Sequence, residues 1–559
     1  MPRSAITASA SGQAGRPPGN SPADRTRAGT DASSRRWARS AAAIGERHWF
    51  AVQSTRMRGG SSMLRAYRRS PARPSVSSCF VSTSLGPAIR SIPIGAERVT
   101  TEDTITVRSP YDGTELAHVP ACGPPEIDRA VAAARLALKS DPLPAWRRAE
   151  ILDTAARLIG GRTEEFARII AAEAAKPIKT ARIEARRTAS TFTFSAAAAR
   201  SLAGEMIPMD ASDAGVAKLG FTLRVPIGVV GAISPFNFPL NLVAHKVAPA
   251  IAAGCPVVLK PASQTPLSAI ALAELLLDEC GLPPGYLNIV TGSGATVGNA
   301  IVEHEQIAMI TFTGSPEVGW GIKARAPRKK VGLELGNNAP VIIEPDGDVV
   351  TAATKIAVAG FSHAGQSCIS TQRVYVHEDV ADAFLADLVP RVEALVVGDP
   401  LDDATDVSAL ISEGERDRVQ AWVDEAKQAG AKVACGGETR NGVLEPTVLT
   451  DVTPDMAVCA LEVFGPVVTV ARYRTLDEAL ELANDTRYGL QAAIFTSDYA
   501  VALRAIRELD FGGVLVNEVP TFRTDQMPYG GLRDSGNTRE GPKYAVEEMT
   551  EARLVILQL

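Results

Sequence analysis

Between residues 225 and 335 the chain alternates short apolar runs with longer segments whose apolar residues recur at helical spacing. The runs are nearly continuous in apolar residues, as is typical of strands that are buried on both faces. Because helical segments separate them, the pattern predicts a parallel sheet covered by helices on both sides. The predicted strands lie at 228–233, 256–259, 287–290, 309–312 and 331–334, and the helices between them at 240–253, 266–280, 295–303 and 316–324.

A second series of alternating strands and helices follows and predicts a second α/β unit. A helical region precedes both series. The second series places strands at 340–343, 373–376, 467–470, 492–495 and 513–516, and helices at 350–359, 380–395, 416–429, 476–484 and 499–509; the first helical region covers 125–139, 145–159, 163–175 and 184–202.

Two further strand-like segments stand outside these series. Residues 205–227 predict a β-hairpin, and residues 552–557 predict a strand with no partner nearby in the sequence. Because unpaired strand edges invite pairing with another chain, we expect a sheet between subunits and a homodimer or homotetramer.

Composition narrows the class of protein. The 559 residues require two or more domains. The net charge of −5 gives no reason to expect nucleic acid or an acidic membrane as a partner, and no apolar run is long enough to span a membrane. Seven cysteines without a CxxC pair favour a reducing, cytoplasmic location, and six histidines without HxH or HxxxH spacing predict no metal site.

The first 95 residues differ in kind from the rest. Up to residue 90 they contain fifteen arginines, no lysine and only three acidic residues, with abundant Ser, Pro and Gly. This composition predicts a disordered Arg/Ser-rich extension over residues 1–95. Two explanations stay open: a transit peptide, which would place the protein in the mitochondrial matrix, or translated upstream sequence with a wrongly assigned start.

Three residues supply the candidate chemistry: a thiol at Cys368, a carboxylate at Glu334 and an amide at Asn237. Together they can attack a carbonyl, stabilise the resulting oxyanion and hydrolyse an acyl-enzyme. Each of these residues also has an ordinary structural interpretation. A lone cysteine is usually a small buried residue, Asn237 suits a turn before a helix, and Glu334 suits a strand end.

Two segments could receive a dinucleotide. Gly292–Gly298 follows a strand and opens a helix, but it is one residue longer than GxGxxG and is a weak indication. The segment 312–315, Phe-Thr-Gly-Ser, also leads from a strand into a helix, whose N-terminus is suited to a pyrophosphate.

The chain resembles the aldehyde dehydrogenase superfamily from about residue 97 to its C-terminus. Its ending, 521–528, is similar to the branch that includes lactaldehyde, phosphonoacetaldehyde and non-phosphorylating glyceraldehyde-3-phosphate dehydrogenases. Seven motifs in order carry the resemblance: Pro-Phe-Asn-Phe-Pro at 235–239, Lys-Pro-Ala-Ser at 260–263, Phe-Thr-Gly-Ser at 312–315, Leu-Glu-Leu-Gly at 333–336, Gly-Gln-Ser-Cys at 365–368, Glu-Val-Phe-Gly-Pro at 462–466 and Pro-Tyr-Gly-Gly at 528–531.

The resemblance implies an α/β architecture of three parts. A Rossmann-like parallel-sheet domain for NAD or NADP would occupy 96–204 and 228–335. An α/β catalytic domain would occupy 336–524, and a small β oligomerisation element 205–227 and 525–559.

The resemblance also implies roles for the three candidate residues. Cys368 would be the nucleophile, Asn237 and the Cys368 backbone N–H the oxyanion donors, and Glu334 the base that activates the hydrolytic water. Branches that transfer the acyl group to coenzyme A lack this glutamate, so a free carboxylic acid is the expected product.

The cofactor residues follow from the same resemblance. Ser263 stands where NAD-preferring members often carry glutamate; its lack of charge should admit the 2′-phosphate of NADP, so NAD and NADP both stay open. The implied contacts are Ser234, Pro235, Phe236, Lys260, Ser263, Gly294, Gly298, Thr313, Gly314, Ser315, Glu334, Leu335, Gly336, Glu462 and Phe464.

The resemblance implies a small aldehyde as the substrate. Arg187 and Arg523 are candidates to clamp an anionic tail, although a helix-surface arginine and a loop salt bridge are equally good readings. Phe238 and Ser367 stand where phosphonoacetaldehyde enzymes tend to have histidine and arginine, which argues for a hydroxylated or anionic aldehyde without a phosphonate. Two rival functions are a non-redox thiol esterase or acyl-transfer enzyme and a catalytically idle paralogue.

Overall fold

The structure is a computed structural model that describes residues 88–559. The predicted disordered extension lies outside the described residues as far as residue 87. Its last residues do not fit that prediction, because Ile92–Ile94 form a buried strand that pairs with Glu97–Val99. Order therefore begins before the predicted boundary at residue 96.

The strands within residues 88–559 recover both predicted series and add several short ones. In chain order they are β1 Ile92–Ile94, β2 Glu97–Val99, β3 Thr104–Arg108, β4 Glu115–Pro120, β5 Met206–Ile207, β6 Lys218–Pro226, β7 Val229–Ile233, β8 Val257–Lys260, β9 Leu287–Ile289, β10 Ile307–Thr313, β11 Lys330–Glu334, β12 Ala339–Ile343, β13 Thr371–His377, β14 Lys432–Cys435, β15 Thr439–Arg440, β16 Val443–Leu444, β17 Thr447–Thr450, β18 Val467–Tyr473, β19 Gln491–Phe495, β20 Gly513–Val516 and β21 Thr550–Gln558.

The α-helices of the same residues cover the sheets. None of them is both long and apolar enough to cross a membrane. In chain order they are α1 Pro124–Ser140, α2 Ala145–Gly161, α3 Thr163–Ala174, α4 Ile178–Ser201, α5 Asn241–Ala253, α6 Leu267–Glu274, α7 Asn299–Glu303, α8 Pro316–Arg325, α9 Val349–Ala359, α10 Glu378–Glu393, α11 Glu413–Gln428, α12 Ala457–Ala460, α13 Leu476–Asn484, α14 Tyr499–Glu508 and α15 Pro542–Glu548.

The first predicted sheet is confirmed. Its five strands have the order β11-β10-β7-β8-β9, and every neighbouring pair is parallel. Helix α5 has all thirteen residues buried, which explains why its sequence is apolar on every side. The predicted helices at 266–280 and 295–303 are only partly α-helical, because π-helical turns occupy Leu275–Glu279 and Gly294–Gly298.

The second unit is a seven-stranded sheet with the order β14-β17-β18-β13-β12-β19-β20. All its pairs are parallel except β14 with β17. Strands β14 and β17 were absent from the predicted series, because each is short and separated by turns rather than by a long helix. The α/β fold class is confirmed, and the exact domain bounds stay a prediction.

The third sheet shows where the predicted C-terminal strand finds its partner. Strand β21 pairs antiparallel with β6 over nine residues, from Thr550 opposite Pro226 to Gln558 opposite Lys218. Sequence proximity could not reveal this pairing, since more than 300 residues separate the two strands. The sheet has the order β21-β6-β5, so one long edge of β21 has no strand partner among residues 88–559.

Candidate active site

The candidate nucleophile follows a strained turn. His363, Ala364 and Gly365 have φ values of 52°, 53° and 71°, a run of left-handed residues just before Cys368 and β13. Gly365 is required there, because a Cβ atom would lie 2.0 Å from the carbonyl oxygen of Gly465. Left-handed backbone at non-glycine residues costs roughly 1–3 kcal/mol each and is concentrated at functional sites.

The candidate oxyanion donor is attached to this same loop. Asn237 lies between β7 and α5, and its Nδ2 donates to the carbonyl oxygen of Gln366 at 3.0 Å. Gln366 in turn is held by the backbone N–H of Ile411, which donates to its Oε1 at 3.0 Å. The amide of Asn237 is therefore fixed beside the loop that carries Cys368, and one of its two amide hydrogens remains available.

The surroundings of Cys368 favour the neutral thiol. Burial raises the pKa of Cys368 to about 12. The hydroxyl group of Tyr529, which lies 2.8 Å from Sγ, and the Arg523 guanidinium both act to lower that pKa, whereas Glu462 and Glu334 raise it.

Glu334 ends β11 as a buried carboxyl group without a partner. No group among residues 88–559 donates a hydrogen bond to either of its oxygens. Oε1 lies against Gly530, where an added Cβ atom would come within 2.9 Å. Burial raises the pKa of Glu334 well above its usual value, and the charge of Glu540 raises it further. A carboxyl group of this kind has free oxygens and a base strength suited to accepting a proton from water.

Charged side chains lie beside Glu334. Lys246 Nζ is 3.6 Å from the Glu540 carboxylate and donates to Thr313 Oγ1 at 2.7 Å. Arg523 Nη2 donates to Glu540 Oε2 at 2.8 Å. Burial would raise the pKa of Glu540, but Lys246 and Arg523 together lower it to about 2. Glu540 is therefore anionic, and the two cations partly offset the burial of Glu334.

The two candidate clamp arginines belong to one polar network. Arg187 Nη2 donates to Asp525 Oδ1 at 2.9 Å, and His245 Nε2 lies 3.1 Å from that oxygen and 3.3 Å from Arg523 Nη2. Burial and the Arg523 cation lower the pKa of His245, which is thus uncharged. Both arginines have a buried Nε without a hydrogen-bond partner.

The remaining substrate candidates lie on either side of the nucleophile loop. Phe238 receives the Lys176 ammonium group 3.6 Å from its ring centre and stacks edge-on with His363. Ser367 lines a small cleft together with Glu462 and Phe464. Phe238 therefore contacts the strained turn, and Ser367 faces the candidate cofactor residues.

Most candidate cofactor residues meet at the carboxyl edge of the five-stranded sheet, where parallel α/β sheets bind ligands. Several of them have the unused polar groups that a bound dinucleotide requires. Ser234 Oγ is buried without a partner, and Lys260 Nζ contacts only the carbonyl oxygen of Pro261 among the described residues. Burial lowers the pKa of Lys260 to about 8. Ser315 begins α8 without capping it, so the helix N-terminus stays open to an anion.

Gly336 and Glu462 form the second half of the cofactor candidates. The Glu462 carboxylate accepts the backbone N–H of Asn337 at 3.0 Å, and a Cβ atom at Gly336 would come within 2.2 Å of it. Burial raises the pKa of Glu462 to about 8. Phe464 packs edge-to-face on Phe236 at 5.8 Å, so this loop meets the one that precedes Asn237. Leu335 packs against Gly319 of α8.

The last three cofactor candidates lie in the segments that follow β8 and β9; they are Ser263, Gly294 and Gly298. Ser263 Oγ donates to the carbonyl oxygen of Gly292 at 2.7 Å, and Gly298 lies next to the Lys260 stem. Gly294 and Gly298 bound the π-helical turn rather than a phosphate loop of the GxGxxG type. The assignment of all these residues to the cofactor stays a prediction that the open polar groups favour.

Sequence reasoning gave no role to Lys246, His245, Glu540, Asp525 or Tyr529. Two of them offered an available indication, because a histidine and a lysine interrupt the otherwise apolar helix α5. Tyr529 stands in a quoted motif, but only the folded chain brings its hydroxyl group to Cys368. Within residues 88–559, no group of three or more His, Cys, Asp or Glu side chains is placed to hold a metal ion.

A parallel sheet with open polar groups at its carboxyl edge, beside a thiol, an amide and a buried carboxyl group, is the arrangement expected of an NAD- or NADP-dependent oxidoreductase. Residues 98–555 match the model of the aldehyde dehydrogenase family. The chain belongs to that family, and it is an NAD(P)-dependent aldehyde dehydrogenase.

Curated relatives cover nearly the whole matched region. The chain is 46% identical over 466 residues to a 3-sulfolactaldehyde dehydrogenase of Priestia aryabhattai, which covers 83% of this chain and 97% of the relative. It is 40% identical over 470 residues to a lactaldehyde dehydrogenase of Methanococcus aeolicus, with 83% and 99% covered.

Solved structures agree with the fold. Aldehyde dehydrogenase 21 of Physcomitrella patens, in complex with the reaction product succinate, has a TM-score of 0.82 at 40% identity and covers 85% of this chain and 99% of its own. Glyceraldehyde-3-phosphate dehydrogenase of Methanocaldococcus jannaschii, complexed with NADP, has a TM-score of 0.79 at 40% identity and covers 82% and 100%. These relatives do not favour the non-redox and idle alternatives.

Proposed function

We propose that the thiolate of Cys368 attacks the aldehyde carbon and that the amide of Asn237 and the Cys368 backbone N–H donate to the oxyanion. Collapse of the oxyanion releases a hydride from the carbon and leaves a thioester on Cys368. The bound nicotinamide supplies the hydride acceptor. Glu334 then takes a proton from the water that attacks the thioester, which gives the carboxylic acid and the free thiol.

The observation that carries this proposal is the buried Glu334 carboxyl group without a partner beside the Cys368 thiol. A buried carboxyl group without a hydrogen bond destabilises the fold. Its presence here therefore favours a functional role. The direct test is turnover with both cofactors on lactaldehyde, 3-sulfolactaldehyde, succinic semialdehyde, glyceraldehyde-3-phosphate and phosphonoacetaldehyde. No formation of reduced cofactor with any of them would contradict the proposal.

For the substrate, we propose a small 2-hydroxyaldehyde that carries an anionic tail. Arg187, Arg523 and Lys246 place three cations near the site, whereas Asp525 and Glu540 supply two anions. Burial raises the pKa of Glu334 and so favours its neutral form, which leaves the three cations in excess of the two anions. A sulfonate or carboxylate suits such a network. One relative is named as a dehydrogenase of 3-sulfolactaldehyde, which carries a sulfonate.

Replacing Arg187 by glutamine is expected to raise KM for 3-sulfolactaldehyde about tenfold and to leave KM for lactaldehyde nearly unchanged. The two aldehydes share a carbon skeleton and differ in the sulfonate, so their ratio isolates the anionic contact, and a lost charged hydrogen bond is worth about 1.5–3 kcal/mol. Initial rates at saturating cofactor measure both constants. Arg182→Gln is the matched control on the same helix, and equal KM changes for both aldehydes would contradict the clamp.

For the cofactor, Ser263→Glu is expected to lower kcat/KM for NADP about tenfold or more while that for NAD falls little. A carboxylate at this position would repel a 2′-phosphate but could accept hydrogen bonds from a ribose diol. Parallel titrations with the two cofactors measure the ratio of kcat/KM for NADP to that for NAD. Ser293→Glu serves as the control, at an exposed position in the turn after β9. An unchanged ratio would remove Ser263 from the adenosine-ribose site.

We also propose that the open edge of β21 pairs with a second copy of the chain. Leu554 and Ile556 on this strand are 56% and 48% exposed, so an apolar surface adjoins the unpaired edge. Light scattering of the purified chain is expected to give the mass of a dimer or tetramer. Leu554→Lys should shift the mass toward the monomer, and a monomeric wild-type chain would contradict the proposal.

A further inference from the structure

The thiol of Cys368 is paired with a tyrosine. The Tyr529 hydroxyl group lies 2.8 Å from Cys368 Sγ, and Tyr529 is only 4% exposed. Ile369 and Leu490 pack with the Tyr529 ring in one apolar cluster, and the half-buried Cys368 lies against it. Among residues 88–559 no hydrogen bond joins the thiol to a histidine or lysine, so the Tyr529 phenol is its side-chain hydrogen-bond partner.

The tyrosine ring is held in place from two sides. Its backbone N–H donates to the Glu540 carbonyl oxygen at 3.2 Å, and the Glu540 N–H donates back at 2.6 Å. The guanidinium carbon of Arg523 lies 3.8 Å from the ring centre. The hydroxyl group therefore cannot swing away from Cys368 without breaking the backbone bridge or the cation–π contact.

The direction of this hydrogen bond depends on the charge of the sulfur. While both groups are neutral, either can donate to the other. A thiolate has no proton, so in that state only the phenol can donate, and a hydrogen bond to an anion is stronger than one between neutral groups. Burial and the neighbouring Cys368 raise the pKa of Tyr529 well above its usual value, so the phenol keeps its proton.

We propose that the Tyr529 hydroxyl group donates a hydrogen bond to the Cys368 thiolate and thereby makes the sulfur react faster than it would without the phenol. The proton of the thiol leaves to solvent, and Tyr529 acts as donor rather than base. Arg523 adds a favourable charge, while Glu334 and Glu462 are the charged groups that oppose the thiolate. The inference rests on the proposed role of Cys368 as nucleophile.

The test is the alkylation of Cys368 by iodoacetamide in the full chain without aldehyde, followed peptide by peptide from pH 7 to 9.5. Tyr529→Phe is expected to slow Cys368 alkylation about tenfold at each pH, because one pKa unit changes the thiolate fraction tenfold. Tyr286→Phe is the matched control, since it removes a buried hydroxyl group that bonds Leu143 and Asp141 instead. Superimposable profiles for Tyr529→Phe and wild type would overturn the inference.

A second substitution separates donation from packing. 3,5-Difluorotyrosine at position 529 keeps the ring and the hydroxyl group but makes the phenol a stronger donor, so Cys368 alkylation should become faster than in wild type. A purely structural role predicts no gain, and this variant carries the test if Tyr529→Phe fails to fold. In wild type, alkylation of Cys368 no faster than that of buried Cys255 would contradict the nucleophile itself, a result distinct from failure of the tyrosine alone.

Discussion

Replacing Cys368 by alanine is expected to lower kcat/KM for aldehyde oxidation by about 10⁴-fold or more. The thiol forms the covalent adduct from which the hydride leaves, and no other cysteine among the described residues is placed to substitute for it. Alanine fits the same space, so the strained turn of residues 363–365 and the Asn237 contact with Gln366 should persist. Absorbance of the reduced cofactor at 340 nm measures the loss.

The control for this variant is Cys435→Ala, which removes a buried thiol from β14 far along the same sheet. We expect Cys435→Ala to retain activity within a factor of two or three. The cofactor should still raise the melting temperature of Cys368→Ala, since the candidate cofactor residues are intact. Activity of Cys368→Ala within tenfold of wild type would exclude a covalent thiol mechanism.

Local patterns determined most of the fold. Strands β8 and β10 are largely apolar and lie between helices, so periodicity alone predicts them and the parallel sheet to which they belong. The pairing of β21 with β6 was beyond prediction, because it depends on contacts between residues hundreds of positions apart. The short strands β14 and β17 were not predicted either, since neither has a helix on both sides to mark its bounds.

The site divides in the same way. Cys368, Glu334 and Asn237 stand in recognisable motifs, but what surrounds them depends on the folded chain. The pairing of Lys246 and Arg523 with Glu540, which keeps the Glu540 carboxylate anionic, joins α5 to the C-terminal region. The residue types in these motifs predict the chemistry. The electrostatics that shift the pKa values of these residues depend on contacts that no local pattern encodes.

Glu334→Gln is expected to slow steady-state turnover about 1,000-fold while the first turnover survives. Glutamine keeps the size of the side chain but cannot take a proton from water, and general-base catalysis contributes roughly 10²–10⁴-fold. Hydride loss precedes hydrolysis, so rapid mixing should show a burst near one reduced cofactor per active site and then a slow phase. Mass spectrometry should find the acyl group on the peptide that contains Cys368.

The pH dependence gives the same assignment a second measurement. Burial and Glu540 raise the pKa of Glu334, and the base must be ionised, so wild-type hydrolysis should increase with pH through a range above the usual carboxyl value of 4.5. The slow phase of Glu334→Gln should lack this limb. Glu274→Gln is the control. Burial also raises the pKa of Glu274, but this residue lies on helix α6 and its carboxylate pairs with Arg90. A Glu334→Gln enzyme without a burst would place this carboxyl group before hydride loss, as the base for the thiol, and would contradict its role in hydrolysis.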